Sequence, residues 1–394
     1  MNPTQLSIVW FAAITALTLS SALPAVSAHG DGIPLIGDPH FLVYVGSYTG
    51  PKSKGFYVML MDPTTGALSK PELAGEVPSP SFLAIHPTEK FLYAVSELDG
   101  KDGGGIVNAF SIAKESGQLT LLNQQTAGGS GTCFVGLNPA GTTALIANYG
   151  SGSVEALPIE ENGQLSKPTA FIQDVGKSVD SKRQENPHAH SFNVDAAGRF
   201  AFAADLGLDK LFVYKLDGAK GTLTPNDPPF VQITPGSGPR HFTFHPNGKF
   251  AYLINEMALT VTAFTYDADK GALTEIQTIR TLPGNTEKGN STAEVQVHPS
   301  GKFLYGTNRG DNSISIFTID EQTGKLTSAG IEKTMGKTPR NFRIDPSGKF
   351  LLAANQDSDS VVVFQIDPAT GGLKATGSSV KIGSPVCVKF VSSR

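Results

Sequence analysis

Residues 291–326 read STAEVQVHPSGKFLYGTNRGDNSISIFTIDEQTGKL, and this stretch decides the fold. An alternating run ends at His298-Pro299, and Ser300-Gly301-Lys302 turns the chain. A second run, 303–308, reaches a polar corner at 309–312; a third, 313–320, closes at Thr323-Gly324. Period-2 alternation between Gly, Pro and Asn punctuation predicts antiparallel strands joined by tight turns.

The same unit recurs along the chain. Its first turn reappears at His86-Pro87, Asn138-Pro139, Asp195-Ala196, His245-Pro246 and Asp345-Pro346, at intervals of 47–57 residues. The later hairpin occurs seven times, its last leucine being Leu68, Leu119, Leu165, Leu223, Leu273, Leu326 and Leu373. The second strand also occurs seven times, but its first copy, 42–47, has no first strand ahead of it. The missing partner stands at the other end, where Ser384-Pro385-Val386-Cys387-Val388-Lys389-Phe390 matches Thr338-Pro339-Arg340-Asn341-Phe342. Seven four-stranded units that complete one another head to tail predict an all-β, seven-bladed β-propeller, the ring closed by the C-terminal strand joining the N-terminal blade. A solenoid would carry capping ends instead. Composition does not shift between blades, so 41–394 is expected to be one propeller. The longest insertion, 173–187, is polar and is expected to cross one mouth of the ring.

The 394 residues carry a formal charge of −4, which points away from a nucleic-acid partner. The 43 Gly and 26 Pro suit an all-β chain with many turns. Residues 6–23 form an uncharged apolar run followed by Val26-Ser27-Ala28. That pattern reads as a secretory signal peptide over 1–28, with 29–40 a flexible lead-in. An uncleaved anchor is the alternative, since the run is near the roughly 18-residue lower limit for a membrane span. The expectation is an exported protein, periplasmic or secreted, with no stable membrane association after cleavage. Cys133 and Cys387 fall on inner strands of non-neighbouring blades, too far apart for a bridge whose Cα atoms must lie within roughly 7 Å. Two free, buried thiols are expected.

Taking the turn anchors (His86, Asn138, Asp195, His245, His298, Asp345) as position zero, the first strand runs from about −5 and the second to about +10. The two are antiparallel, so −5 and +11 share one end of the sheet, about 17 Å from the anchor at a rise of roughly 3.3 Å per residue. Innermost strands surround the central channel, so these residues rim one mouth. Position −5 reads Ser81, Cys133, His190, Arg240, Ala293, Arg340 and Val386; position +11 reads Glu97, Tyr149, Leu206, Glu256, Arg309, Gln356 and Tyr48. His190, Arg240, Glu256 and Arg309 therefore fall on three consecutive blades at one side of one mouth. His188 would share the face of His190, and Arg340 and Glu97 lie further round. A base, an acid and paired guanidiniums suit an anionic small molecule whose carbonyl must be polarised. The position-zero histidines His86, His245 and His298 lie at the opposite end and read as turn caps. The pair His188 and His190 lacks a third ligand at metal spacing, so no metal and no cofactor are expected.

The combination Asn186-Pro187-His188-Ala189-His190, Gly238-Pro239-Arg240-His241, Asn255-Glu256 and Ala293-Glu294 through Asn308-Arg309-Gly310 resembles the seven-bladed lactonase family. That family includes a bacterial 6-phosphogluconolactonase and a fungal carboxymuconate lactonizing enzyme. The similarity runs from about Phe41 to the C-terminus, and Tyr44-Val45-Gly46-Ser47-Tyr48-Thr49 also fits. The resemblance implies His190, with His188 beside it, Arg240, Glu256 and Arg309 as active-site residues; catalysis is expected of His190, Glu256, Arg240 and Arg309, and substrate binding of His188, Arg340, Glu97 and Glu294. It implies a lactone hydrolase of carbohydrate metabolism acting on an anionic sugar or organic-acid lactone. A carboxymuconate-type cycloisomerase and a non-catalytic secreted binding propeller are the alternatives. A phosphorylated sugar lactone sits oddly with export, because such a metabolite is cytoplasmic.

Overall fold

The computed structural model describes residues 40–98, 104–284 and 288–392; the expected signal peptide and all of the lead-in but His40 lie outside them. The described residues form seven four-stranded antiparallel sheets and one short 3-10 turn, Gln356–Ser358. The blades span 80–126, 132–173, 189–232, 239–280, 291–333 and 339–381 as blades 2 to 7; blade 1 combines 41–76 with the last strand, Pro385–Ser392. That strand pairs with Phe41–Ser47, Phe41 opposite Ser392 and Ser47 opposite Pro385, so the ring closes as the repeat arithmetic requires. The first strand of each blade contacts its counterparts on both neighbours around a closed cycle, which makes these seven the innermost strands.

The alternating strands bury their apolar residues between blades. Phe82 stacks on Phe134 at 4.4 Å, Phe202 on Phe242 at 5.4 Å, and Phe56 meets Phe110 edge-on at 5.1 Å. Offset and edge-on pairs of this kind stabilise by about 0.5–1.5 kcal/mol beyond burial. The fourth strands form the rim and carry exposed polar faces.

Polar ties repeat with the blades. The hydroxyls of Tyr44, Tyr93, Tyr252 and Tyr305 donate to the carbonyls of Gly117, Gly163, Gly324 and Gly371 on the next blade, at 2.7–3.0 Å. The anchor histidines act similarly at the turns. Nδ1 of His86, His245 and His298 accepts a backbone N–H two residues on, each at 3.1 Å. Nε2 then donates to the carbonyls of Gly141, Gly301 and Gly348 on the next blade. These histidines cap turns, as expected, and also bind blade to blade. Gly141 has φ +71°, and a Cβ there would lie 2.2 Å from the His86 ring, so no other residue fits.

Every innermost strand carries a β-bulge at one level. The ladder skips Ser81, Cys133, His190, Arg240, Arg340 and Val386, and sets Ala293-Glu294 against a single partner residue. These are the position −5 residues. A bulge leaves its extra residue outside the ladder and re-aims it. Consequently −5 and −4 no longer alternate: Ser81 and Phe82, Arg240 and His241, and Arg340 and Asn341 line one cavity. Cys133 and Cys387 are buried and free.

Candidate active site

A repeated asparagine at the end of the second strand holds the +11 residues at the mouth. Asn255 Nδ2 donates to the hydroxyls of Thr260 (2.9 Å) and Thr262 (3.0 Å), and Asn308 Nδ2 to Ser313 (3.1 Å) and Ser315 (2.9 Å). The next residue in each case, Glu256 or Arg309, is thereby presented at the channel. The bulge brings Arg240 up from the first strand of the same blade.

Three guanidiniums converge on Glu256. Arg240 Nε lies 3.1 Å and Arg309 Nη2 2.8 Å from Oε2, and Arg183 Nη2 lies 2.8 Å from Oε1. Arg183 belongs to the 173–187 insertion and also donates to the Tyr149 hydroxyl, 3.2 Å away, so the insertion reaches the mouth. Burial pushes the Glu256 carboxyl up, but Arg309 and Arg240 outweigh it and hold it at about 2. Arg240 is fully buried; desolvation and the neighbouring Arg309 and Arg340 bring it down to about 10, still charged at neutral pH. Its Nη1 donates to the Ala293 carbonyl at 2.7 Å. Arg309 Nη2 donates to the Thr292 carbonyl at 2.8 Å, while its Nε is buried with no acceptor.

Beside this cluster stand aromatic and imidazole groups. His188 stacks on Tyr149 at 4.5 Å and donates from Nδ1 to the Tyr149 carbonyl at 2.8 Å. His190 meets Tyr149 edge-on at 5.4 Å and His241 at 5.3 Å, with Cys133 Sγ 3.8 Å from its Nδ1. Burial, then the charge of Arg240, pushes His190 well below its ordinary value, so the ring is neutral at physiological pH. His241 Nδ1 donates to Glu294 Oε2 at 3.2 Å. Burial brings His241 down to about 4 despite that carboxylate. Arg340 lies 5.4 Å from the Tyr48 ring centre and 3.7 Å from Glu97 Oε1, and the Tyr48 hydroxyl donates to Glu97 Oε2 at 2.7 Å.

His190, Arg240, Arg340 and Glu97 line one cavity of about 10 Å³, at the lower limit for admitting a single water. Glu256 and Arg309 lie against it through Arg240, and His188 flanks it through Tyr149. Glu294 stands apart: its carboxylate accepts from His241, Asn341 and the Val295 N–H, so its bonds go to its neighbours. Two residues of the site, Arg183 and His241, escape a reading of the sequence. Tyr149 and Tyr48 stand at position +11 and are legible there. His241 is hidden because strict alternation aims −4 away from −5. Arg183 lies in an insertion that has no register. Among the described residues no group of three or more His, Cys, Asp or Glu side chains is placed to hold a metal.

Comparison with known proteins adds to this geometry. Residues 42–390 match the family model for lactonase, 7-bladed beta-propeller. A 6-phosphogluconolactonase of Bacillus subtilis is 36% identical over 351 residues, 89% of this chain and 98% of that protein. A 6-phosphogluconolactonase of Formosa agariphila is 35% identical over 76% of this chain and 85% of its own length. Among solved structures, the periplasmic gluconolactonase of Pseudomonas aeruginosa superposes with a TM-score of 0.84 at 32% identity, covering 90% of this chain and 100% of that one.

Proposed function

The chain belongs to the seven-bladed β-propeller lactonase family, and from that premise we propose that it hydrolyses a lactone bearing a phosphate or carboxylate, on a sugar or an organic acid. The observation that carries the anionic preference is the charge at the mouth: Arg240, Arg309 and Arg183 share the single carboxylate of Glu256. The surplus positive charge suits an anion, and guanidinium forks match carboxylate and phosphate oxygens.

In the proposed reaction Arg240 and Arg309 polarise the lactone carbonyl and stabilise the oxyanion that forms as water adds. The buried Nε–H of Arg309, which has no acceptor, suits that task. His190, neutral and beside a water-sized space, takes the proton from the attacking water. The acyl–oxygen bond then breaks and that proton passes to the ring oxygen as it leaves, giving a hydroxy acid. Glu256 holds the guanidiniums in place, because a carboxyl kept at about 2 accepts no proton near neutrality. His188, Arg340 and Glu97 shape the substrate pocket. Glu294 acts through His241, whose ring it orients. Export is proposed from the N-terminal apolar run, and it agrees with the Pseudomonas relative being periplasmic. A non-phosphorylated lactone acid then fits best as the physiological substrate.

The test is turnover of purified protein against sugar and organic-acid lactones, read by proton release. Arg240→Ala is expected to lose about 10²–10³ in rate, as for other oxyanion donors, with the ring still folded. A normal rate in that variant refutes the proposal. Labelled oxygen from water should enter the product; its absence with turnover intact identifies the cycloisomerase. Tight binding with no turnover identifies a binding propeller.

A further inference from the structure

We propose that the channel mouth opposite the candidate active site is a second binding site, for a small organic anion with an apolar body. The channel there widens to a chamber of about 630 Å³. That size falls within the roughly 300–1,000 Å³ typical of small-molecule pockets. The −2 residues of the innermost strands line it, among them Arg343 of blade 7 and Lys389 of blade 1.

Neither cation is paired directly with a carboxylate, although Glu294 and Asp345 stand in the same wall. Among the described residues neither forms an ion pair; the Lys389 ammonium lies 4.7 Å from the centre of the Phe82 ring. The two carboxylates that line the chamber are already engaged. Glu294 accepts from His241, Asn341 and Val295 N–H, and Asp345 accepts from the backbone of Ser347 and Phe350. Burial lowers the pKa of Lys389 and Arg343 works in the same direction, while Glu294 favours its charge. Two like charges facing one partly dry space repel, and an anion between them relieves the repulsion. A third group points the same way: Asn193 Nδ2 is buried at the chamber wall with no acceptor. The remaining wall includes Phe134 and Phe390, which suit an apolar body rather than a bare inorganic ion. Phe82 and His241 line both this chamber and the cavity at the other mouth, so the two sites are back to back.

Benzoate and inorganic phosphate, titrated calorimetrically into the full chain, test the proposal. Benzoate should bind saturably, more tightly than phosphate, and Arg240→Ala should leave that binding intact. The double variant Arg343→Gln, Lys389→Gln should weaken it at least about tenfold, in line with the loss of charged partners, while lactone turnover stays unchanged. Ala84→Trp, which keeps both cations but fills the chamber, should abolish binding and guards against misfolding of the double variant. No saturable benzoate binding overturns the site. Binding lost in Arg240→Ala but kept in the double variant assigns the anion to the other mouth and overturns it equally. Phosphate binding as tightly as benzoate overturns the apolar part of the ligand assignment.

Discussion

At Glu256 one carboxylate meets three guanidiniums, and that ratio decides what the residue can do. A carboxyl held at about 2 has almost no affinity for a proton at neutral pH, so the proposed mechanism gives the reactive proton to an imidazole. His190 is held well below its ordinary value by burial and by Arg240, so it is already neutral over the physiological range. For a histidine with a lowered pKa the active, unprotonated form is lost only as pH falls through that lowered value. The kcat/KM of lactone hydrolysis is therefore expected to stay flat through the ordinary histidine range around 6.5 and to fall only well below it. A fall centred near 6.5, the ordinary histidine value, would show that the base is a solvated histidine elsewhere. The residue types at this mouth are legible from the repeat register, since −5 and +11 name His190, Arg240, Glu256 and Arg309 without coordinates. Their roles are not. Whether Glu256 is a base or a clamp depends on how closely Arg309, Arg240 and Arg183 approach it, distances that the register does not give, and Arg183 lies outside every repeat.

The element that sequence periodicity describes least well is the 173–187 insertion. Its polar composition suggests a crossing segment, and Arg183 indeed reaches Glu256. What fixes the segment is buried polar contact: Gln184 donates to the Leu206 carbonyl at 2.8 Å, and Ser178 to Asp209 at 2.6 Å. Beneath its start Asp174 lies against Asp205, whose carboxylate also accepts from His188 N–H. Burial and then the charge of Asp205 push Asp174 far above the ordinary carboxyl range. A raised folded pKa means that the native state binds more protons than the unfolded chain. Its stabilising effect is full below the unfolded value near 3.8 and is lost as pH rises through the folded one. A tenfold difference in proton affinity between the two states corresponds to about 1.4 kcal/mol. Asp174→Asn is expected to be more stable than the parent at pH 8, with the gain shrinking toward pH 4. Thermal melts of both proteins across that range check it; a gain that grows on acidification would refute the account. The bulges are a second element-scale feature that alternation does not foresee. One extra residue per innermost strand moves His241 from the hidden face to the cavity wall.

For the whole molecule, the ring is the most legible feature, because a second strand without a first and a first strand without a second can only belong to each other. The closing strand pairs along the full length of Phe41–Ser47. Removing 384–394 should leave that strand half-paired and the cycle of innermost strands broken, and the truncated chain is expected to aggregate. A permuted chain that begins at Ser384, joins Ser392 to Phe41 through a short turn and ends at Gly383 should instead fold and melt like the parent. In register Ser392 and Phe41 match Pro87 and Lys90 of blade 2, which have two residues between them, and that sets the length of the turn. Failure of the permutant, with the truncation tolerated, would mean that blade 1 does not need its partner.

That closure also sets an order of events during synthesis. Of the described strands Phe41–Ser47 leaves the ribosome first and its mate last, so the nascent polypeptide carries an open hydrogen-bonding edge until Pro385–Ser392 emerges. Unpaired edges recruit other chains. Whatever accompanies this protein as it is made must keep that edge covered until Pro385–Ser392 arrives.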